Sequence, residues 1–371
     1  MKKPVLFRVT NNLKIGGIQR RLRALLPLLT DDYDVHIVTY KDKGVFFDEL
    51  AELGVTTHFL PRKGHWDPVA IWKLARLFQK HRADIVHTHS FGGNIFGILA
   101  AALARVPVRI GQVHSRGLHW YGASTFRQRK QIAEESLVHR LFSHHITFVS
   151  EESLAFFQSK TGLPQHMLSV LHNGMDLTAN KPPLARMDLK LPAAVPLIGF
   201  VGRLTQGKGL DFFFDFAAQA LKARPGAYHF VVIGGGNQNS CIELCAKLGI
   251  SRSVTFTGEL HEMDRVYPVL NALLFTSGPE HEGMPGVVLE ACSHGLPILA
   301  RESSPIQEIA LHYKRIRYFN AAEASVQLDE ILSAPADNRN AFRREFSLEA
   351  MRNKTRSLYQ RLLANHGKGT Q

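Results

Sequence analysis

The chain has 371 residues, of which 45% are hydrophobic and 9% aromatic, and it carries 45 Lys and Arg against 32 Asp and Glu, a net charge of +13. This composition excludes disordered and fibrous proteins, and the length exceeds what one hydrophobic core usually supports, so we expect two globular domains. The positive charge favours a polyanionic partner, either an anionic lipid surface, a nucleic acid or a phosphorylated substrate.

The N-terminus combines a basic pair with a short apolar run, MKKPVLFRVT. Arg8 interrupts the run and no small-residue cleavage site follows, so we interpret it as a first strand and not as a signal peptide. The longest apolar run, NIFGILAAALA, has about half the length of a membrane-spanning helix. Together these features predict a cytoplasmic protein without a transmembrane helix.

Short apolar, β-branched runs alternate with amphipathic stretches along the whole chain. The predicted strands are PVLFRVT, DVHIVTY, TTHFL, DIVHTH, RIGQVH and HITFVS in the first half, and LIGFVGR, HFVVIGGG, SVTFTG, ALLFTS and PILAR in the second. Helical patterns such as 19–29 and 68–81 lie between them. Strands that alternate with helices form parallel sheets, so each half is predicted to be a doubly wound α/β domain.

A Pro-rich segment without periodicity, residues 178–196, is typical of a linker. We therefore predict an N-terminal domain at 1–185, a second domain at 186–345, and a helix at 346–371, where Leu and Met recur at helical spacing. The positive charge lies mainly in the first domain. Residues 1–185 hold 24 basic and 14 acidic side chains, a net +10, and residues 186–371 hold 21 and 18, a net +3.

The cysteines and acidic residues do not form a metal-site pattern. Cys241 and Cys245 are four apart on a predicted helix and Cys292 lies in another, so we expect three buried free thiols. Four ligands at zinc-like spacing are absent from the sequence, and the Asp-x-Asp of Asp32 and Asp34 is typical of a turn. We therefore predict no metal site.

Two glycine-rich turns follow predicted strands of the second half. In FVGRLTQGKGLDFF, Arg203 and Lys208 come just past a strand, where two cations, backbone N–H groups and a positive helix end favour a diphosphate. The alternative is an exposed basic turn. The second turn, VVIGGGNQ, either lets backbone approach a ligand closely or is a strand-to-loop junction with no specific role.

The stretch EHEGMPGVVLE places two carboxylates, Glu282 and Glu290, around an apolar turn. Glu282 follows a predicted buried strand, and Glu290 lies in the first turns of the next predicted helix. A carboxylate at a strand end can accept paired hydrogen bonds from the hydroxyls of a sugar or a ribose. The alternative is that both carboxylates are solvated charges.

The chain resembles the family 4 retaining glycosyltransferases of GT-B fold. The resemblance rests on these turns, the glycine pair at 16–17, HNGMD at 172–176, FTGEL at 256–260 and EGMPGVVLEACSHGLPILA at 282–300. The resemblance covers nearly the whole chain. It implies two Rossmann-like domains that face a central cleft. It also implies that the last helix crosses back to the N-terminal domain.

The resemblance implies roles for individual residues. Arg203 and Lys208 would hold the donor diphosphate, Glu290 the ribose and Glu282 the donor sugar. His114, after RIGQV, matches the histidine of the family that lies near the anomeric carbon, although it can also be a structural residue at a strand end. The catalytic group would then be His114, Glu282, Arg203 and Lys208. Further donor-binding positions would be Gly16, Gly17, Gly234, Gly258, Gly283, Met284, Pro285, Gly286 and Val287.

Two positions depart from the pattern of the family. SSPIQE keeps Glu308 but has Ser304 and Pro305 where the family has glycines, which affects the expected contacts with the donor sugar. Gln19 stands where Glu is frequent, which bears on the contacts with acceptor or phosphate.

The resemblance implies a retaining glycosyltransferase that needs neither a metal nor a cofactor. It would move a sugar from a nucleotide-diphosphate donor, with a UDP-sugar favoured, to a glycan or lipid-linked acceptor of bacterial cell-surface polysaccharide or lipopolysaccharide synthesis. Arg127, Arg129 and Lys130 follow an aromatic-rich stretch. Cations next to aromatic residues suit a segment that binds the acceptor at the anionic inner face of the cytoplasmic membrane. The alternative is a solvated basic helix.

Two other functions remain open. A nucleotide-sugar epimerase can share the architecture and the diphosphate site. A nucleic-acid-binding protein would account for the net charge of +13, but no recognition motif accompanies that charge, so we expect no nucleic acid partner.

Overall fold

The structure, a computed structural model, describes residues 2–64, 66–114, 125–177, 181–278, 282–336 and 339–368. The chain divides into two compact units, one of Met1–Gly174 with Leu348–Gln371 and one of Met175–Ser347. Each unit contains one parallel sheet with helices between successive strands, the architecture that the sequence predicts.

In its described residues the first unit has a seven-stranded sheet in the order β3-β2-β1-β4-β5-β6-β7. The strands are β1 (Val5–Thr10), β2 (Asp34–Thr39), β3 (Thr56–Phe59), β4 (Ile85–His89), β5 (Val108–Val113), β6 (His145–Phe148) and β7 (Leu168–Val170). The helices that connect them are α1 (Gly17–Leu29), α2 (Phe46–Glu52), α3 (Pro68–His81), α4 (Ser90–Leu103), α5 (Thr125–Phe142) and α6 (Glu151–Thr161).

Both faces of this sheet are covered. Leu22, Leu25 and Leu26 of α1 pack on one face with Leu6 and other strand residues. On the opposite face, α3 and α4 form a second cluster with alternate residues of β1. Because successive side chains of a strand point to opposite faces, a strand buried on both sides is apolar along its whole length. All six residues of β1 are buried, including the charged Arg8.

In its described residues the second unit has a six-stranded sheet in the order β10-β9-β8-β11-β12-β13. The strands are β8 (Leu197–Val201), β9 (His229–Ile233), β10 (Val254–Gly258), β11 (Ala272–Phe275), β12 (Ile298–Ala300) and β13 (Ile316–Tyr318). The helices are α7 (Leu210–Ala223), α8 (Asn239–Lys247), α9 (Met263–Val266), α10 (Gly286–Ser293), α11 (Ser304–Ala310), α12 (Ala324–Ser333) and α13 (Asn340–Phe346).

Helices α7, α8 and α12 form the main core of the second unit with β8 and β9, and Phe213, Phe214 and Phe216 are fully buried there. All three cysteines are buried free thiols, as the sequence predicts. The sequence did not predict β7 and β13, because LSV and IRY are short and lack the continuous apolar run that marks the equally short β12.

The Pro-rich segment belongs to the second unit, so the division of the chain falls between Gly174 and Met175 and not near residue 185. The Leu184 N–H donates to the carbonyl of Arg265 at 3.0 Å. The Arg186 guanidinium donates to Asn271 Oδ1 at 2.9 Å and to three carbonyls between Pro192 and Val195. The hydrogen bonds to Arg265 and Asn271, which sequence periodicity does not reveal, fix the segment to this unit.

The last helix, α14 (Leu348–Lys368), packs in the first unit. Met351, Leu358 and Tyr359 are buried among residues of α1 and β1. Arg356 donates to Asp32 Oδ1 at 2.8 Å, so one carboxylate of the Asp-x-Asp turn anchors this helix. No helix within the described residues is long and apolar enough to cross a bilayer.

Each sheet has one point where the strand order reverses. In the first unit β1 pairs with both β2 and β4, and in the second β8 pairs with both β9 and β11. Open parallel sheets bind ligands beyond the carboxyl ends of the strands at such points. The turns after β1, β4, β8 and β11 are therefore where functional residues are expected.

Candidate active site

The predicted diphosphate turn lies at the reversal point of the second sheet. Arg203 follows β8 and is exposed, and Lys208 comes two residues before α7 and is half-buried. The Gly278 N–H, which follows β11, donates to the carbonyl of Gly207 at 3.1 Å. The two loops that flank the reversal point are therefore joined by their backbones.

Two glycines make this arrangement possible. Gly209 has a φ of +67°, and a Cβ there would lie 2.1 Å from the carbonyl oxygen of Thr276. Gly234, after β9, has a φ of +151°, and a Cβ would lie 1.9 Å from the carbonyl oxygen of Gly202. Because no other residue type fits either position, the backbones of neighbouring loops approach each other closely at the carboxyl ends of the strands.

Lys208 and Glu282 contact each other directly. Lys208 Nζ donates to Glu282 Oε1 at 2.5 Å, and the two side chains are 26% and 18% exposed. Lys208 thus comes from the loop after β8, and Glu282 from the loop after β11. The sequence assigned the two side chains to different parts of a donor, and the structure shows that they form one ion pair across the reversal point.

Glu290 lies in the fifth position of α10 and is half-buried. Its Oε2 accepts a hydrogen bond of 2.9 Å from the hydroxyl of Tyr267. The Tyr267 ring in turn stacks on His294 with a centroid distance of 5.3 Å. A buried tyrosine therefore fixes the orientation of this carboxylate.

The other predicted donor residues surround the same loops. Gly258 ends β10, and the segment from Gly283 to Val287 leads into and begins α10, with Met284 and Pro285 buried. In the departing SSPIQE segment, Ser304 begins α11 and Pro305 occupies its second position, where a proline is compatible with a helix. Glu308 is half-buried in that helix.

In the first unit the glycine pair lies between β1 and α1. Gly17 is the first residue of α1, and Gly16 precedes it in extended conformation. Gln19 is buried, and its Nε2 donates to Asn11 Oδ1 at 3.2 Å. A Cβ on Gly16 would lie 2.5 Å from the Gln19 amide oxygen, so the side chain of Gln19 packs directly beneath this turn.

His114 follows β5 and is part of a chain of hydrogen bonds. Its Nε2 lies 2.9 Å from Nδ1 of His89, the last residue of β4. His89 Nε2 lies 3.0 Å from Nη1 of Arg8, which is 1% exposed in the middle of β1. This series of hydrogen bonds therefore connects β1, β4 and β5 at the reversal point of the first sheet.

This series of hydrogen bonds fixes the tautomer of His114. An arginine can only donate hydrogen bonds, so His89 Nε2 must accept and the proton of His89 must be on Nδ1. That N–H donates to Nε2 of His114, which leaves the proton of His114 on Nδ1. Burial, and after it the charge of Arg8, lowers the pKa of His114 to about 3, so its imidazole is neutral at pH 7.

Sequence reasoning missed Arg8, His89 and Tyr267 as members of these networks. One signal was present: Arg8 is the only charged residue in a run of six that is otherwise suited to a strand buried on both faces. The Nε and Nη2 of Arg8 are buried without a hydrogen bond partner among the described residues. A buried charge in a strand interior is costly, which makes a functional role worth testing.

The predicted acceptor residues Arg127, Arg129 and Lys130 are exposed on the first turns of α5. Phe126 beside them is 80% exposed. Between α5 and α6 lies a groove of about 750 Å³ lined by Ile132, Leu137 and Phe156 together with Arg129, Arg140 and Lys160. The aromatic stretch that precedes α5, residues 115–124, lies outside the described residues.

Both the sequence and the fold are similar to those of known glycosyltransferases. The family described as Glycosyltransferase Family 4 matches residues 15–179, and the family described as Glycosyl transferases group 1 matches residues 195–332. The UDP-Gal:alpha-D-GlcNAc-diphosphoundecaprenol alpha-1,3-galactosyltransferase of Escherichia coli is 24% identical over 379 aligned residues, which cover 95% of each chain.

A relative from Campylobacter jejuni, N,N'-diacetylbacillosaminyl-diphospho-undecaprenol alpha-1,3-N-acetylgalactosaminyltransferase, is 26% identical over 62% of this chain and 61% of its own. Among solved structures, HepE of Anabaena in complex with UDP and glucose has a TM-score of 0.77 at 16% identity. That alignment covers 96% of this chain and 99% of HepE. The likeness to HepE shows a shared fold of two Rossmann-like domains, GT-B.

Proposed function

The chain belongs to the glycosyltransferases of family 4 and group 1, and from this premise we propose that it transfers a sugar from a nucleotide-diphosphate donor to a lipid-linked acceptor. The observation that carries the proposal is the Lys208–Glu282 ion pair at the reversal point of the second sheet. A cation for the diphosphate and a carboxylate for sugar hydroxyls lie there side by side, where a parallel sheet binds its ligand.

The donor is proposed to be a UDP-sugar. The E. coli relative is named for UDP-Gal, and the HepE structure contains UDP and glucose, which supports this base. Glu290, oriented by the Tyr267 hydroxyl, is positioned as an acceptor for ribose hydroxyls. Arg203 is exposed at the end of β8, where it can meet the diphosphate that Lys208 also faces.

In the proposed reaction the bond between the anomeric carbon and the diphosphate oxygen breaks, and a bond to the acceptor oxygen forms. The acceptor hydroxyl gives its proton to the departing diphosphate oxygen, and the new glycosidic bond has the configuration of the donor. The leaving diphosphate gains negative charge, and Arg203 and Lys208 stabilise that charge in the transition state. Because these side chains supply the positive charge, we propose that transfer needs no metal ion and no cofactor.

His114 is proposed to donate a hydrogen bond to a hydroxyl group of a bound substrate. Its proton is on Nδ1, since Nε2 accepts from His89. With a pKa of about 3, the ring presents a neutral N–H donor across the physiological pH range. Such an N–H group orients a hydroxyl without adding a positive charge.

The acceptor is proposed to be linked to a polyisoprenyl diphosphate or a similar anionic lipid at the cytoplasmic face of the membrane. Two relatives are named for diphosphoundecaprenol acceptors, which supports a role in cell-surface glycan synthesis. Exposed Phe126 next to Arg127, Arg129 and Lys130 is the combination of an apolar anchor and cations that binds an anionic lipid surface.

Mass spectrometry tests the reaction directly. The purified chain is incubated with UDP-, GDP- and ADP-sugars, each with a membrane extract and with a defined diphosphoundecaprenol-linked monosaccharide. We expect one UDP-sugar to extend the lipid-linked acceptor by one hexose. In the NMR spectrum of the product, we expect the coupling constant of the anomeric proton to show retention. Isomerised donor with unmodified acceptor would identify an epimerase of the same architecture and overturn the proposal.

The donor site is tested by Arg203→Ala and Lys208→Ala. A charge-assisted hydrogen bond contributes about 1.5–3 kcal/mol, so each change is expected to lower kcat/KM about ten- to a hundredfold. Lys222→Ala, an exposed lysine in the last turn of α7, is the matched control and should leave transfer unchanged. Wild-type kinetics in both site variants would show that this turn does not bind the diphosphate.

The membrane surface is tested by sedimentation with vesicles. Vesicles that contain about 30% phosphatidylglycerol should bind the chain, and neutral vesicles should not, because each lysine or arginine near an anionic surface contributes about 1 kcal/mol. Replacing Arg127, Arg129 and Lys130 by alanine should reduce binding at least tenfold. If the triple variant sediments like the wild type, α5 is a solvated basic helix.

A further inference from the structure

Three histidines of the first unit lie together. None of them belongs to the turns that form the candidate active site. His36 is in β2, His58 is in the edge strand β3, and His81 is the last residue of α3. One ring nitrogen from each lies within 4.8 Å of the other two. Nδ1 of His36 and Nε2 of His58 are only 3.0 Å apart.

The fold brings these three residues together. Val38 of β2 is the direct partner of His58 in β3, so His36 and His58 lie diagonally opposite each other on one face of the sheet. Helix α3 covers this face, and its Phe78 packs against Phe7 with a centroid distance of 5.0 Å. The last turn of α3 therefore places His81 over the His36–His58 pair, with ring centroids 4.7 and 5.6 Å away.

The chemical state of the cluster suits a metal ligand set. His36 is 3% exposed, and His58 and His81 are half-buried. Burial, and after it the neighbouring histidines, lowers the pKa of His58 to about 4, and burial also lowers the pKa of His36. Burial therefore favours the neutral form of both rings, which is the form of imidazole that binds metals.

Asp34 provides a second observation. Its Oδ1 lies 3.3 Å from Nε2 of His36, which is within ion-pair distance, although this nitrogen makes no aligned hydrogen bond among the described residues. A histidine that ligates a metal usually gives its other ring nitrogen to a carboxylate, which fixes the tautomer and the ring orientation. With the proton of His36 on Nε2, its Nδ1 lone pair points toward His58.

Although the sequence pattern predicted no metal site, we propose that His36, His58 and His81 bind one divalent transition-metal ion of the zinc type. Two nitrogen ligands of a tetrahedral zinc ion, at about 2.0–2.1 Å from the metal, are about 3.3 Å apart, close to the 3.0 Å that separates His36 Nδ1 from His58 Nε2. On binding, the proton between these two rings moves to Nδ1 of His58, and three neutral imidazoles supply the lone pairs. A fourth position remains for water.

The site is structural in this proposal. It links the edge strand β3 and the end of α3 to β2, three elements whose ligands are far apart in the sequence. Binding to the folded state alone stabilises that state in proportion to the logarithm of the metal concentration over Kd. Metal removal should therefore lower the melting temperature of the protein and leave the transfer reaction unchanged.

The test uses the full chain without a histidine tag, freed of metal by a chelator and dialysed. ZnCl₂ is titrated in by calorimetry, and CoCl₂ by visible absorption. We expect one ion per chain with a micromolar or tighter Kd, the intense bands of tetrahedral Co²⁺, and a melting temperature that rises by about 5 °C at 100 Kd of free zinc. No saturable 1:1 binding would overturn the proposal.

Two ligand variants and one control assign the ion to the cluster. His58→Asn and His81→Asn should each weaken binding at least tenfold and reduce the rise in melting temperature at the same zinc concentration by about half or more. His166→Asn, an exposed histidine outside the cluster, should bind as the wild type does. Undiminished binding in both ligand variants would place the ion elsewhere and overturn the proposal. Circular dichroism checks their folding. If His58→Asn fails to fold, the partly exposed His81 decides the outcome alone.

Discussion

At the scale of single residues, the candidate donor site is a set of charges that already have partners. Lys208 is held by Glu282, and Glu290 is held by the Tyr267 hydroxyl. A donor must therefore exchange its own groups for these contacts when it binds. The ammonium group of Lys208 has three N–H donors, so it can contact a diphosphate while it keeps one hydrogen bond to Glu282.

We predict that Glu290→Gln and Glu282→Gln have different effects on the binding of UDP. Glu290→Gln should weaken the binding of UDP about ten- to a hundredfold, because a hydrogen bond to a charged acceptor contributes about 1.5–3 kcal/mol. Glu282→Gln should not weaken UDP, since it releases Lys208 from its ion pair and UDP lacks the sugar. Calorimetric titration of UDP measures both, with exposed Glu243→Gln in α8 as the control. Equal weakening in the two variants would show that the carboxylates do not divide the donor in this way.

Arg8 is predicted to act as a positioning residue for His114. Arg8→Met should raise the pKa of His114 above about 3, because the charge of Arg8 is the second cause of that depressed pKa, after burial. It should also mix the two tautomers of His114, since His89 Nε2 loses its donor. Nitrogen-detected NMR of the imidazoles measures both effects, and kcat should fall more than KM rises.

Two comparisons separate this role from simple packing. Arg8→Gln keeps an N–H donor and should retain the wild-type tautomer. Replacing a buried charge that has unsatisfied nitrogens by an apolar side chain is expected to be neutral or stabilising for the fold. A lower melting temperature in Arg8→Met with an unchanged His114 spectrum would show that Arg8 only supports the structure.

At the scale of elements, the turn from β8 to α7 depends on backbone conformation more than on its charges. Gly209 is the residue before α7 and lies in the left-handed region, against the carbonyl of Thr276 after β11. The Thr276 hydroxyl in turn donates to the carbonyl of Lys208 at 2.9 Å. The two loops that carry Lys208 and Glu282 are thus held together by a close backbone approach and by a side-chain hydrogen bond to the backbone.

Gly209→Ala is predicted to disrupt this turn. The added Cβ would lie 2.1 Å from the Thr276 oxygen, in addition to the cost of a positive φ, so we expect the melting temperature to fall and UDP affinity to drop at least tenfold. Gly226→Ala is the matched control, because Gly226 also has a positive φ but no atom lies within 4 Å of its Cβ position. A similar loss in both variants would mean that the φ alone matters. A positive φ alone costs a non-glycine residue about 1–2 kcal/mol.

At the scale of the whole molecule, the chain is basic and rich in histidine, with 19 histidines in 371 residues. Many of them are buried in the first unit. Burial lowers the pKa of His145 to about 4, and His144 and His58 have pKa values of about 4 for the same leading reason. The folded state therefore excludes protons that the unfolded chain would bind.

This predicts that stability falls in mild acid. An unfolded histidine has a pKa of about 6.5, so between pH 6.5 and 4 the unfolded chain binds more protons than the folded one. The stability that His145 contributes is complete above pH 6.5 and is lost as the pH falls toward 4. The melting temperature, measured from pH 7.5 to 4.5, should decrease through this window, and His145→Asn should flatten the decrease. A melting temperature that is constant over this range would contradict the prediction.

The sequence by itself determined the two α/β domains, the glycosyltransferase family, the buried thiols and the terminal helix. These features depend on local periodicity, on turn residues and on motifs that are contiguous in the chain, such as the glycines around Lys208. The assignments of individual site residues stay predictions. Their positions at the ends of β8, β9, β10 and β11 follow from the alternation of strands and helices.

Only the tertiary structure decided which side chains meet. Lys208 and Glu282 are 74 residues apart, Arg8 and His89 are 81 apart, and each pair forms because strands that are not consecutive become neighbours where the sheet order reverses. His36, His58 and His81 come together through strand register and the placement of α3. Strand order and register depend on the packing of the whole sheet, and no local pattern in the sequence encodes them.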